Sequence, residues 1–211
     1  MLDSADIAVV DFAGADIDGF LRYWYDADAG FLAAMGVDPA KLPSRRKMRE
    51  MLELNLERDE RSRTPQNTIL SIKLKGETIG VHELTHLTAG DSGILHAHIW
   101  DRAHRGRGIG IVSYVKAMQV FFRRFDLARI VFESPAHNPG ANRIKDKLGI
   151  EASGEGMIDL PILRHPVATV RYVVAAGDMP AIVRNMERAW LERGYAIDGR
   201  GAQPAAHGDT A

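Results

Sequence analysis

The amino-acid sequence predicts an α/β domain: a mixed, mostly antiparallel central sheet with helices on both faces and a further helix added at the C-terminal end. Three observations predict it. Apolar residues recur at helical spacing in residues 17–24 and 48–56, alternate in residues 68–100, and return to helical spacing in residues 108–125. Gly-containing turns divide residues 68–100 into three strand-like runs, which is the pattern of an antiparallel meander. A strand–helix–strand unit then follows, and such a unit places two strands parallel.

Taken in order, IAVVDF (7–12) reads as a short strand. Asp16 is a candidate N-cap for a helix with Ile17, Phe20, Leu21 and Trp24 at helical spacing. Residues 27–44 mix two glycines and two prolines with apolar residues, which reads as an ordered loop or broken helix rather than a linker. Ser44 is placed to cap a second helix with Met48, Met51, Leu52 and Leu56 on one face and the charge run ERDERSR (57–63) on a solvated one. Residues 68–74, 78–87 and 94–100 are the meander strands, with turns at Gly76-Glu77 and at 88–93. Ile111, Val115, Met118, Phe122 and Phe125 mark the buried stripe of a helix over 108–125. A strand at 129–134 precedes a short helix over 138–148, ended by Gly149. Two closing strands are expected at 156–163 and 167–175. A last helix opens at Asp178 and Pro180, with Val183, Met186 and Trp190 inward. Residues 1–176 are expected to form one domain and 177–195 a helix packed on it or at a dimer interface. The small, polar tail 196–211 is expected to be disordered.

Composition narrows the function. At 211 residues the chain fits one large domain. It has no cysteine, which removes disulfides, thiolate metal sites and cysteine nucleophiles. A net charge of −1 argues against a nucleic-acid binder working through bulk positive charge. The first residues, MLDSADIAVVDFAG, lack the basic start of a signal peptide, and no apolar run approaches the roughly 20 residues of a membrane span. A cytoplasmic protein is the expectation, as monomer or homodimer.

The segment Arg105-Gly106-Arg107-Gly108-Ile109-Gly110 lies between a strand and a helix. The first N–H groups of a helix lack intrahelical partners and the macrodipole adds positive charge there, so a glycine turn at this point suits an anion. A P-loop needs Lys-Ser/Thr after its last glycine, where this chain has Ile111-Val112, and the G-x-G-x-G spacing is not a dinucleotide fingerprint.

Arg105-x-x-Gly108-x-Gly110 matches the Arg/Gln-x-x-Gly-x-Gly/Ala motif of the GNAT acetyltransferase superfamily. Downstream, Asn138 to Ile150 resembles that family's Asn-x-x-Ala/Ser segment, with Ala141 and Gly149 in step. The order of elements over residues 5–175 is also similar. The resemblance implies acetyl-CoA as co-substrate and no metal. It implies that pantetheine lies along Ile99, Trp100, Asp101 and Arg102, and pyrophosphate on Arg105, Gly106, Arg107, Gly108, Ile109 and Gly110. Asn138 is expected to face the cofactor. Many members carry a tyrosine as leaving-group acid where this chain has Lys145. That lysine reads either as a ligand of a coenzyme A phosphate or as an exposed helix residue.

His82, His86, His96 and His98 fall on the two central meander strands. With 88–93 as the turn, residues whose numbers sum to about 182 pair, which sets His86 against His96 and all four histidines on one face with Trp100. Three readings remain open: packing histidines, a catalytic base at His98 or His96 with Glu83 as the alternative, or a histidine-ligated metal. Tyr23, Trp24 and Tyr25 read as core, while Phe31 and Met35 in the loop 27–44, with Arg45 just after it, are candidates to line or lid an acceptor pocket.

The expected activity is transfer of acetyl from acetyl-CoA to a primary amine of a small molecule, by direct attack in a ternary complex. A backbone N–H at Ile99–Trp100 is expected to hold the oxyanion. Neither nucleic acid nor membrane is an expected partner. The alternatives are a non-catalytic acyl-CoA sensor and a metal hydrolase built on the histidines.

Overall fold

Alternating apolar residues in the meander settle into three antiparallel strands that organise the rest of the chain. The computed structural model describes residues 1–61 and 67–198. The elements are β1 (Ile7–Asp11), α1 (Ile17–Tyr25), α2 (Ala29–Ala34), α3 (Arg45–Arg61), β2 (Ile69–Leu74), β3 (Glu77–Thr88), β4 (Ser92–Ile99), α4 (Ile109–Phe125), β5 (Arg129–Pro135), α5 (Pro139–Leu148), β6 (Ala152–Ile158), β7 (Val167–Ala175) and α6 (Met179–Leu191). The sheet runs β1-β2-β3-β4-β5-β7-β6. Among the strands of the described residues, only β4 and β5 pair in parallel, as the strand–helix–strand unit requires.

One face of the sheet packs Leu70, Ile72, Leu84, Leu95, Ile130 and Phe132 against α4, and α6 joins the same core through Ile182, Met186 and Trp190. The other face packs Ile69 and Val81 against Phe20 and Leu21 of α1 and Leu52 of α3. Residues 27–44 do form a broken helix: α2, then a 3-10 turn at Pro39–Lys41, held by Leu32 and Val37 against Leu163. Ser44 caps α3 by accepting from the Lys47 N–H at 3.2 Å.

The structure corrects several boundaries. The β2–β3 turn is Lys75-Gly76, both at positive φ, which suits a two-residue hairpin, rather than Gly76-Glu77. Met51 is exposed on α3, away from Met48, Leu52 and Leu56. Strand β6 lies four to five residues earlier than expected. Its side chains are nearly all exposed, so no buried alternation marked it, while Ile162 and Leu163 pack toward α2 instead. The tail does not begin at Ala196: its carbonyl accepts from Ser4 N–H and from Trp190 Nε1 at 2.7 Å, and Ile197 is buried. The rest of the expected tail, 199–211, and the end of the charge run, 62–63, lie outside the described residues.

Candidate active site

The parallel pair at the sheet's centre is short. Strand β4 meets β5 only over Ser92–Ile94 against Arg129–Val131. Past these residues β4 continues to Ile99 on β3 alone, and β5 continues to Pro135 on β7 alone. A wedge therefore opens between Leu95–Ile99 and Phe132–Pro135. Trp100 N–H donates to Ile79 O at 2.9 Å, on the β3 side. It is not free for an oxyanion. By strand alternation Ile99 N–H faces the wedge instead.

The mouth of the wedge is the glycine turn. Gly106 and Gly108 hold φ of 74° and 84°, a conformation that strains any residue with a Cβ, and Gly108 ends the turn as the N-cap just before α4. Arg193, just past α6, supports the loop by donating to Gly106 O at 3.1 Å. The added C-terminal helix thus buttresses the turn.

The sequence-predicted cofactor residues fall as follows. Asp101 caps a 3-10 turn by accepting from Ala103 N–H at 2.8 Å; Arg102 and Arg107 are exposed. Arg105 folds back: its guanidinium donates to Ile99 O at 2.8 and 3.1 Å and lies 4.4 Å over the Phe31 ring. The Asn138 carboxamide is the N-cap of α5, accepting from Ala141 N–H at 3.2 Å. Gly110 lies against Ile144 and Ile99 across the wedge.

Lys145 is not an exposed helix residue. It is 1% exposed, with Nζ 4.5 Å over Tyr114, 4.7 Å over Phe132, and 3.5 Å from Tyr114 Oη. A phosphate ligand needs a solvent-facing amine, which this position does not supply.

The four-histidine face does not form. Strands β3 and β4 pair at a numerical sum of 179, three residues from the expected register: Val81 faces His98, His82 faces Ala97 and Glu83 faces His96. An odd shift moves a partner strand to the other face. His82 therefore lies with Ala97 in the α4 core, 4.9 Å from the Tyr114 ring and fully buried. His86 sits exposed in a bulge at positive φ. Among the described residues, no group of three or more His, Asp or Glu side chains is arranged so that it could hold a metal ion.

The same shift brings the three acid–base candidates together. Glu83, His96 and His98 share the face under α1. Burial raises the Glu83 carboxyl, and burial lowers His96 and His98 to about 4, so both histidines are neutral. His96 Nε2 lies 2.9 Å from Thr85 Oγ1. His98 Nδ1 lies 3.1 Å from Tyr23 Oη, which donates to Met35 Sδ at 3.3 Å. Trp24 and Phe31 complete an aromatic wall around these groups. Of the acceptor-pocket candidates, Phe31 and Met35 reach this wall, while Arg45 pairs with Asp26 at 2.6 Å. Tyr23 was not separable from core in the sequence, because its spacing on α1 serves packing equally well.

The chain and its fold have counterparts among known proteins. The acetyltransferase (GNAT) domain model matches residues 9–151. Among solved structures, the fold is similar to the spermidine N-acetyltransferase from Vibrio cholerae in complex with CoA and spermine (14% identity, 83% of this chain and 99% of that one, TM-score 0.67). It is also similar to Mycobacterium smegmatis RimJ in complex with CoA-disulfide (16% identity, 87% and 89%, TM-score 0.65). A third is the GNAT-family acetyltransferase from Bacillus anthracis (12% identity, 81% and 95%, TM-score 0.60). No curated protein sequence matches the chain significantly. The structural likeness at such low identity speaks for the fold, and the family match over most of the length, turn and wedge included, speaks for descent: the chain belongs to the GNAT acetyltransferase family.

Proposed function

We propose that this chain transfers an acetyl group from acetyl-CoA, the acyl donor of its family, to a primary amine of a small molecule by direct attack in a ternary complex. The observation that carries this reading is the wedge between β4 and β5, with the glycine turn at its mouth and His98, His96 and Glu83 on the strands beside it.

The residues divide the work. The N–H groups at Gly106–Gly110 and the start of α4 suit the pyrophosphate. Ile99 offers the wedge its N–H for the oxyanion and its carbonyl for an amide of the pantetheine arm. Arg105 covers that carbonyl here, so binding requires the guanidinium to swing out, toward the phosphates. His98 is the favoured base. Met35 takes the Tyr23 hydroxyl hydrogen, so Tyr23 Oη accepts from His98 Nδ1–H, and Nε2 is left with its lone pair for the acceptor's proton. The aromatic wall of Tyr23, Trp24 and Phe31 favours a compact acceptor over a long flexible chain.

Acetyl-CoA is expected to raise the melting temperature, and a panel of primary amines is expected to include one that releases free thiol. Absence of any shift at millimolar acetyl-CoA overturns the reading. A shift without thiol release from any amine makes the chain a sensor rather than an enzyme.

A further inference from the structure

Strand pairing sets a row of side chains on the face of the sheet that carries His98. Glu83 on β3 faces His96 on β4, and Glu133 on β5 faces Arg171 on β7. The wedge separates the two pairs. The last parallel pair before it opens is Ile94 with Val131. His96 and Glu133, each two residues further along its strand, therefore stand level on the two banks and point to the same face. Across the sheet the row reads Glu83, His96, wedge, Glu133, Arg171. Helices α1 and α3 pack on the β3 side of this face, where Val81 meets Phe20, Leu21 and Leu52. The β7 side is open: the Arg171 side chain is 49% exposed and its neighbour on the same face, Val173, is 37% exposed.

Arg171 is the cation in this row. Its Nη1 lies 3.4 Å from Glu133 Oε1, which draws the guanidinium back over β5, beside the wedge. That contact is longer than the roughly 2.8 Å of a well-made guanidinium–carboxylate bond, and it uses one nitrogen. A guanidinium carries five N–H donors in a planar fork, so it has bonds left to give. The Glu133 carboxylate has its charge offset by the same contact. The next position across the sheet is Gly154, where a Cβ would meet nothing within 4 Å, so the space beside the guanidinium is open. A fixed cation one strand from the acyl site, with free donors and open space, is placed to meet an anionic group on the acceptor.

We propose that the acceptor carries a carboxylate close to its amine, as an α-amino acid does, and that Arg171 holds that carboxylate. The inference rests on the acyltransferase reading above and narrows its acceptor class. The amine stands in the wedge beside His98, and the guanidinium takes the carboxylate by two parallel N–H···O bonds. Neighbouring strands lie about 4.8 Å apart, and the guanidinium leans toward the wedge, so the spacing suits an amine and a carboxylate on one carbon. The aromatic wall of Tyr23, Trp24 and Phe31 is left for an apolar side chain. Three parts of one small molecule thus find three different surfaces.

The test uses the full chain as wild type, R171M and R171K, with saturating acetyl-CoA and thiol release as the readout. Three matched acceptors are compared: L-phenylalanine, its amide and phenethylamine, which share amine and ring and differ in the carboxylate. L-leucine, leucinamide and isopentylamine repeat the comparison without the ring. Rates are referred to equal concentrations of free amine. Wild type is expected to favour each acid over its amide and its amine by roughly 30-fold in kcat/KM. R171M is expected to lose that preference, mainly through a higher KM for the acids. R171K is expected to keep part of it, because lysine holds the charge but not the fork. No preference for the acids in wild type overturns the inference and leaves the acyltransferase reading standing. So does a loss in R171M that is as large for the amide and the amine as for the acid, which makes Arg171 a structural partner of Glu133. A higher kcat/KM for 1,4-diaminobutane than for either acid overturns it too, and makes Glu133 the contact for a second ammonium. If acetyl-CoA binds and no primary amine of a broad panel releases thiol, it is the acyltransferase reading that has failed, and this inference with it.

Discussion

Tyr23 Oη stands 3.1 Å from His98 Nδ1, across from the first helix to the fourth strand, 75 positions apart in sequence. Both groups are neutral: burial pushes the phenol up to about 12 and pulls the imidazole down to about 4. A neutral histidine has one bare nitrogen, and the neighbour of the other decides which. Tyr23→Phe removes that neighbour while keeping the ring that packs on Trp24. We expect kcat to fall about tenfold with CoA affinity unchanged, against about 100-fold for His98→Ala, as befits a group that orients a base rather than being one. Steady-state thiol release with saturating CoA substrate measures both. If His98→Ala retains wild-type turnover, Glu83 or His96 takes the proton.

The glycine turn separates backbone strain from cofactor approach. Gly106 and Gly108 both have positive φ, but a Cβ at Gly106 meets open space, whereas one at Gly108 meets Arg193 Cδ at 3.0 Å and Trp190 at 3.2 Å. Gly106→Ala is expected to cost about 1–2 kcal/mol from the left-handed backbone alone. Gly108→Ala carries the same cost plus a shifted buttress, so it should lose more stability and weaken CoA binding about tenfold or more. Calorimetric titration with CoA on the folded variants checks this, and equal effects at the two sites would show that the Arg193 support is irrelevant.

Acid pH offers a test of buried His82 and half-buried His96 and His98. In the unfolded chain they take up protons near pH 6.5, while in the fold His82 holds off to about 3 and His96 and His98 to about 4. Between pH 6.5 and 4 the unfolded state therefore binds more protons, so stability is fully present above that window and falls as pH drops through it. Each histidine contributes at most about 1.4 kcal/mol per pH unit. His82→Leu is expected to reduce the slope by about a third, because the ring makes no well-formed hydrogen bond and packs only on Tyr114. Urea midpoints at pH 7.5, 6 and 5 give the comparison. A slope unchanged in His82→Leu would mean that His82 is protonated in the fold.

Much of this was readable in the sequence, and the failures have physical causes. Periodicity located α1, α3, α4, α6 and the meander strands, because each buries a continuous stripe, while α2 fell inside a segment expected only as an ordered loop or broken helix. Periodicity missed the start of β6, whose side chains stay in water and leave no pattern. The glycine turn before α4 was legible because glycines at fixed spacing answer a backbone need that does not depend on distant residues. The histidine face was not. Register depends on where the β3–β4 bulge falls, and His86 gives no hint that it adopts a positive φ. A shift of three residues exchanged one four-histidine face for a Glu83–His96–His98 group and a lone core His82. Lys145 was misread for a related reason: on α5 it follows the pattern of a surface lysine, and only the packing of α5 against α4 and β5 puts it inside.

The position of Tyr23 depends on a buried carboxylate at the other end of its helix. Asp16, expected as a capping side chain for α1, turns inward instead. It accepts from Ser71 Oγ and Thr78 Oγ1 at 2.6 Å each and from Ala13 N–H at 3.1 Å, with Lys73 Nζ at 3.5 Å. Burial opposes its charge, but these bonds and Lys73 outweigh it and hold the carboxyl below its ordinary value. Its contribution to stability is therefore present above the ordinary carboxylate range and lost as pH falls through its own, lower titration. Asp16→Ala strands two hydroxyl donors and the lysine on β2 and β3 and is expected to cost about 3 kcal/mol. The loss should not be confined to stability. With the anchor gone, α1 is free to shift on the sheet, and the Tyr23–His98 bond at its far end should loosen. In folded Asp16→Ala protein below its melting temperature, kcat is expected to fall toward the value of Tyr23→Phe, and the double variant should lose little more than either alone. Full additivity of the two substitutions in kcat would show that the anchor and the tyrosine act independently.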